Sequence, residues 1–72
     1  MSKPWDKLKQ AKGIAPGTWE TAGCMSVEVV RVAEEFADIS FEPGCMPWIA
    51  GPTDLRELAE FCTELANQLE GK

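Results

Sequence analysis

Seventy-two residues, 44% hydrophobic and 26% charged, make one small folded domain, too apolar to stay disordered and too short to bury a large core. The net charge of −5 argues against direct nucleic-acid binding, which rests on clustered Lys and Arg displacing counterions. No run of about 18 apolar residues is present, so no membrane span is expected. The first residues lack a signal peptide's apolar core, which makes a cytoplasmic location the expectation.

Charge divides the chain. Residues 1–20 hold four lysines against two carboxylates, net +2, and residues 21–72 hold three cations against ten carboxylates, net −7. Together with early glycines and prolines, this change of sign marks residues 1–20 as a separable basic arm and residues 21–72 as the compact domain. Within the arm, Pro4 suits a first helical position, Trp5 and Leu8 lie three apart, and Gly13 is a stop. About ten residues are too few for a stable isolated helix, so a short helix forms only if Trp5 and Leu8 dock. Pro16-Gly17 then reads as a turn.

Residues 25–42 have β character. Val27, Val29, Val30 and Val32 are β-branched, and Ala37, Ile39 and Phe41 alternate with Asp38, Ser40 and Glu42. A four-residue turn over Ala33-Glu34-Glu35-Phe36 would close them into a hairpin, and the adjacent Val29-Val30 predicts a bulge. A competing reading makes residues 26–38 a helix capped by Ser26, with Val27, Val30, Ala33 and Ala37 on one stripe. Pro43-Gly44 turns the chain into an apolar stretch, residues 45–50. Pro47 limits that stretch to an edge strand or an extended loop.

The closing segment, residues 52–72, carries the strongest signal. Leu55, Leu58, Ala59, Cys62, Leu65, Ala66 and Leu69 recur at helical spacing as a core-facing stripe. Thr53 or Asp54 is the expected cap, with Asp54 and Glu57 in the form of a capping box, and Gly71 is the expected stop. Glu57, Glu60, Glu64, Asn67 and Gln68 form the opposite, acidic face. The expected fold is α+β: a small antiparallel sheet of two or three strands against a carboxy-terminal helix, preceded by a short helix or arm.

The chain has no histidine, the usual general base near neutral pH. Ser-His-Asp and Cys-His arrangements are therefore impossible within one chain, and no phosphate-cradling glycine motif occurs. No enzyme activity, no catalytic residue and no cofactor are expected. Three cysteines, Cys24, Cys45 and Cys62, fall short of a four-ligand zinc site, though a metal or redox role for them is kept as an alternative.

Tryptophan stands out instead, at Trp5, Trp19 and Trp48. Trp5 and Trp19 read as lids on the core; Trp48 and Phe61 stay open between core and partner contact. Met46, Trp48, Ile49 and Phe61, rimmed by Glu57 and Glu60 and continued by Glu64, are the expected partner-binding residues.

The order of Trp19, Cys24, Val27-Glu28-Val29, Ala37-Asp38-Ile39, Gly51-Pro52 and a helix from Asp54 resembles that of the small BldB-like proteins of actinobacteria. The resemblance covers residues 19–69. Ser40-Phe41-Glu42 stands where that family has Arg-Asp-Ser, and Leu55 or Leu58 replaces its aromatic early in the last helix. It implies a non-enzymatic protein that works through partners in developmental or phage-related regulation. From the residues themselves, the expected function is a small acidic protein–protein interaction module. A narrower form is an inhibitor from a phage or mobile element whose carboxylates mimic nucleic acid before a basic host protein. A structural homodimer is the alternative from a different class.

Overall fold

The computed structural model describes residues 3–44 and 47–71. The fold is α+β. A 3-10 turn, Asp6–Leu8, leads into a minimal hairpin of β1 (Lys9–Gln10) and β2 (Gly13–Ile14). A three-stranded antiparallel sheet follows in the order β3-β4-β5, with β3 at Gly17–Glu20, β4 at Met25–Val32 and β5 at Ala37–Pro43. The helix α1, Pro52–Leu69, closes the chain against this sheet.

The β4–β5 hairpin follows from the valine-rich run and the alternation after it. Ala33 N donates to Phe36 O at 2.8 Å across the expected four-residue loop, which excludes the helical reading of residues 26–38. The register slips between Val29 and Arg31, so the bulge sits at Val30, whose side chain turns to solvent. Alternation then sorts the faces: Val27 and Val29 are buried, while Glu28 between them is exposed. The third strand is not the apolar stretch before the helix. It is β3, paired with β4 from Gly17↔Val29 to Glu20↔Ser26, and residues 47–50 carry no regular structure.

Two expectations about the chain's ends are corrected. No break in packing falls near residue 20, and the amino-terminal segment is part of the core rather than a separable arm. Trp5, Leu8, Ile14 and Trp19 are buried in one cluster with Met25, Val27, Val29, Phe61 and Leu65. The physical reason is size. So short a chain must recruit every large apolar group it has, and its tryptophans are the largest.

The helix begins earlier than expected and is turned about its axis. Gly51 is its cap and Pro52 its first residue; Asp54 stands at the third position and accepts from Gly51 N at 3.0 Å. Phe61 and Leu65 face the core, with Leu58 and Leu69 beside them, while Leu55, Ala59, Cys62 and Ala66 are exposed. Apolar spacing alone gives every position on the stripe equal weight. Weighted by area, Phe61 outranks any alanine, and the buried side shifts toward it. At the far end Gly71 has φ +82°, as expected of a helix stop.

Phe61 lies between two tryptophans, its ring 5.6 Å from Trp5 and 5.1 Å from Trp19, with Trp5 and Trp19 themselves 5.1 Å apart. These tilted and edge-on geometries are the favourable ones for aromatic pairs. Phe61→Ala is expected to lower the unfolding free energy by about 3–5 kcal/mol. That is a large share of the about 4–11 kcal/mol expected for a 72-residue chain. Urea denaturation followed by tryptophan fluorescence measures it; a loss below about 1 kcal/mol contradicts the role given to the ring.

Candidate interaction surface

The seven expected partner-binding residues do not form one patch. Phe61 is fully buried, so partner contact through it is corrected: its area is spent on the two tryptophans. Trp48 is half-buried against the core, and its Nε1 donates to Gly23 O at 2.9 Å. Ile49, the next residue, is 78% exposed. Met46 lies outside the described residues.

The three glutamates divide likewise. Glu60 is bonded by Lys3 Nζ at 2.8 Å. Glu64 accepts from the buried indole of Trp5 at 2.7 Å and pairs with Lys9 at 3.3 Å. One turn on, Gln68 holds the backbone of Ile14 at both ends: Ile14 N donates to Oε1 at 2.6 Å, and Nε2 donates to Ile14 O at 3.1 Å. Glu60, Glu64 and Gln68 are four apart and line one flank of the helix. That flank holds the amino-terminal segment in place, so the basic segment and the acidic flank are each other's partners. Glu57 is half-buried, and its Oε2 is buried without a hydrogen-bond partner among the described residues.

What remains open lies elsewhere. Leu55, in the first turn of the helix, is 53% exposed, and like Ile49 it stands near the helix start in sequence. Sequence reasoning missed Leu55 by assigning it to the core; the size of Phe61 was the signal that displaces it. The start itself is anchored from the sheet. The buried carboxylate of Asp54 accepts from Gly23 N at 2.6 Å as well as from Gly51 N, tying the β3–β4 turn to the helix cap. A Cβ on Gly23 would sit 2.7 Å from Asp54 Oδ2, so only glycine admits this contact.

The unclaimed carboxylates collect on the outer face of the sheet. Glu20 pairs with Ser26, Ser26 with Glu42, and Thr18 with Glu28, which places Glu20, Glu28 and Glu42 on the side away from the helix. Arg31 on this side is engaged by Asp38 at 2.7 Å and stacks over Phe36 at 4.9 Å. Glu34 and Glu35 stand exposed at the hairpin tip.

Among the described residues, no three His, Cys, Asp or Glu side chains gather as metal ligands would, and no helix is long and apolar enough to cross a membrane. Cys24 lies in the β3–β4 turn at φ +68° and Cys62 on the open helix flank, where partial burial pushes its thiol pKa up. Cys45 lies outside the described residues. Comparison of the chain with protein-family models, curated proteins and solved structures gives no match.

Two outcomes follow from these contacts. Hydrogen bonds to Glu60 and Glu64, respectively, raise the Lys3 and Lys9 ammonium pKa above the usual 10.5. Their contribution to stability is complete below 10.5 and is lost as pH rises through the raised values. The urea midpoint of wild type should therefore fall above pH 10.5 relative to a Lys3→Met, Lys9→Met variant, and parallel profiles would remove the claim. Asp54→Ala orphans two backbone N–H groups and should cost about 2–4 kcal/mol in urea denaturation, with Gly23→Ala also destabilising; a cost within 0.5 kcal/mol would refute the clamp.

Proposed function

We propose that the protein is a non-enzymatic protein–protein interaction module whose contact surface is the start of its helix, built on Ile49 and Leu55 beside the docked Trp48. One observation carries the reading. Two large aliphatic side chains, six residues apart, stand exposed on either side of a helix cap that Asp54 and Trp48 fix to the sheet. Apolar side chains held on a rigid support lose little entropy on binding, which is what a hot spot requires. The lack of histidine is consistent with a role that needs no proton transfer.

A second reading concerns charge. Glu20, Glu28 and Glu42 project from the uncovered sheet face, and the hairpin tip adds Glu34 and Glu35. Such a surface favours a basic partner, including a nucleic-acid-binding protein whose site the carboxylates would occupy. A regulator or inhibitor is the form this takes, and a phage or mobile-element setting fits it.

Affinity capture from the source cell separates the two. The leading reading expects a partner retained by wild type and by a Glu20→Gln, Glu28→Gln, Glu42→Gln variant, but lost by Ile49→Ser, Leu55→Ser. The reverse pattern, with loss at high salt, supports the charged face instead. Identical partner lists for all three proteins would overturn both.

A further inference from the structure

We infer that one buried water molecule joins the sheet to the helix, accepting from Trp19 Nε1 and donating to Glu57 Oε2. Trp19 is 1% exposed, and its Nε1 is buried without a hydrogen-bond partner. Glu57 Oε2 is the one other side-chain polar atom in that condition among the described residues. The indole N–H is a donor only and a carboxylate oxygen an acceptor only, so each atom lacks what the other offers. Buried polar groups in folded proteins are satisfied almost without exception, by protein or by ordered water.

The chain brackets the two groups between fixed contacts. The Trp19 ring lies 5.1 Å from that of Phe61, and Gly23 N donates to the Asp54 carboxylate at 2.6 Å. Residues 19–23 therefore run beside helix residues 54–61 in the opposite direction. Glu57 stands between the two anchors, about 4.5 Å along the axis from Asp54 and about 6 Å from Phe61. Phe61 follows it by four residues and so shares its helix face. Thr21, midway between Trp19 and Gly23 in sequence, is 4% exposed. Its Oγ1 accepts from Met25 N at 3.1 Å, which leaves its hydroxyl proton to donate.

The helix already carries one pair of this kind. Trp5 Nε1 donates directly to Glu64 Oε2 at 2.7 Å. Glu57 precedes Glu64 by seven residues, close to two turns, and so lies on the same line of the helix. The Trp5 and Trp19 rings, in turn, are 5.1 Å apart. At the second pair indole and carboxylate make no hydrogen bond with each other, so the link needs a molecule that both accepts and donates. A cation would satisfy Glu57 but would face the indole N–H, itself a donor. Lys3 and Lys9 are held by Glu60 and Glu64. Trp19, Glu57 and Thr21 together supply the two to four polar partners that an internal water requires. The inference rests on neither functional reading, since it uses neither Ile49 and Leu55 nor the carboxylates of the outer sheet face.

Water-selective NMR on the full chain tests it at the indole N–H resonances. In wild type the Trp19 indole proton should give water cross-peaks of opposite sign in NOE and ROE experiments, the mark of a water held far longer than surface hydration. Glu57→Met removes the acceptor and fills the space with an apolar chain of similar length, so that cross-peak should fall by about fivefold or more. Glu57→Gln keeps a carbonyl oxygen and should retain it. The Trp5 indole proton, bonded to Glu64, should hold its shift in both variants, which checks that the core is intact. A wild type without a long-lived water at Trp19 overturns the site, with no variant needed. An equal cross-peak in wild type and Glu57→Met removes Glu57 from it. A Trp19 indole shift that moves in Glu57→Met, with no water cross-peak in wild type, assigns a direct bond and ends the claim for water.

Discussion

The packing of Phe61 between Trp5 and Trp19 is the interaction on which the rest of this structure depends. A chain of this length buries only about 60% of its unfolded surface, so a few large side chains must supply most of the interior. Here three aromatic rings come from three separate segments: the turn before β1, the strand β3 and the middle of the helix. Each is fully or almost fully buried. Removing any one segment opens the core to water, which is why the amino-terminal residues belong to the fold despite their different composition. The cost of burying an indole is partly met at Trp5, whose Nε1 donates to Glu64. Trp19 Nε1 is buried with no partner among the described residues.

Once the rings are placed, the two flanks of the helix have different roles. The flank toward the amino-terminal segment carries Glu60, Glu64 and Gln68, and all three are engaged by Lys3, Trp5, Lys9 or the Ile14 backbone. The charge of the two glutamates is largely met inside the molecule, by Lys3 and Lys9. The other flank carries Leu55, Ala59, Cys62 and Ala66, all exposed. An acidic helix read as a docking face thus turns out to be an internal tether, and the acidic surface open to a partner is the bare side of the sheet.

The parts of the fold legible in the sequence are those with a repeated local pattern. The hairpin was readable because β-branched residues and strict alternation both point to strand, and even its bulge was signalled by Val29-Val30. The helix was readable from its spacing, but its rotation was not, since spacing alone gives Leu55 and Phe61 equal standing. The strand β3 was hidden. Gly17-Thr-Trp-Glu is four residues long, and only its pairing with Val27–Val29 makes it a strand. The same limit applied to the surface. Phe61 and Ile49 are both large apolar residues, and what separates them is whether two distant tryptophans arrive to cover one of them.

A further consequence concerns the ratio of helix to sheet. A helix about 10 Å across covers roughly two strands spaced about 4.8 Å apart, so one helix on a three-stranded sheet must leave a strand partly bare. Which strand is left out is decided by the aromatic core. Trp19 lies on β3 and Val27 and Val29 on β4, so the helix settles over that pair, and the salt bridges from Lys3 and Lys9 hold it there. The strand β5 is the remainder. Its half-covered inner side chains and unpaired outer amides are therefore not a defect of local sequence but the price of anchoring the core in tryptophan at the opposite edge. A partner for this molecule, whether a second copy or another protein, meets a surface already determined by where those two indoles sit.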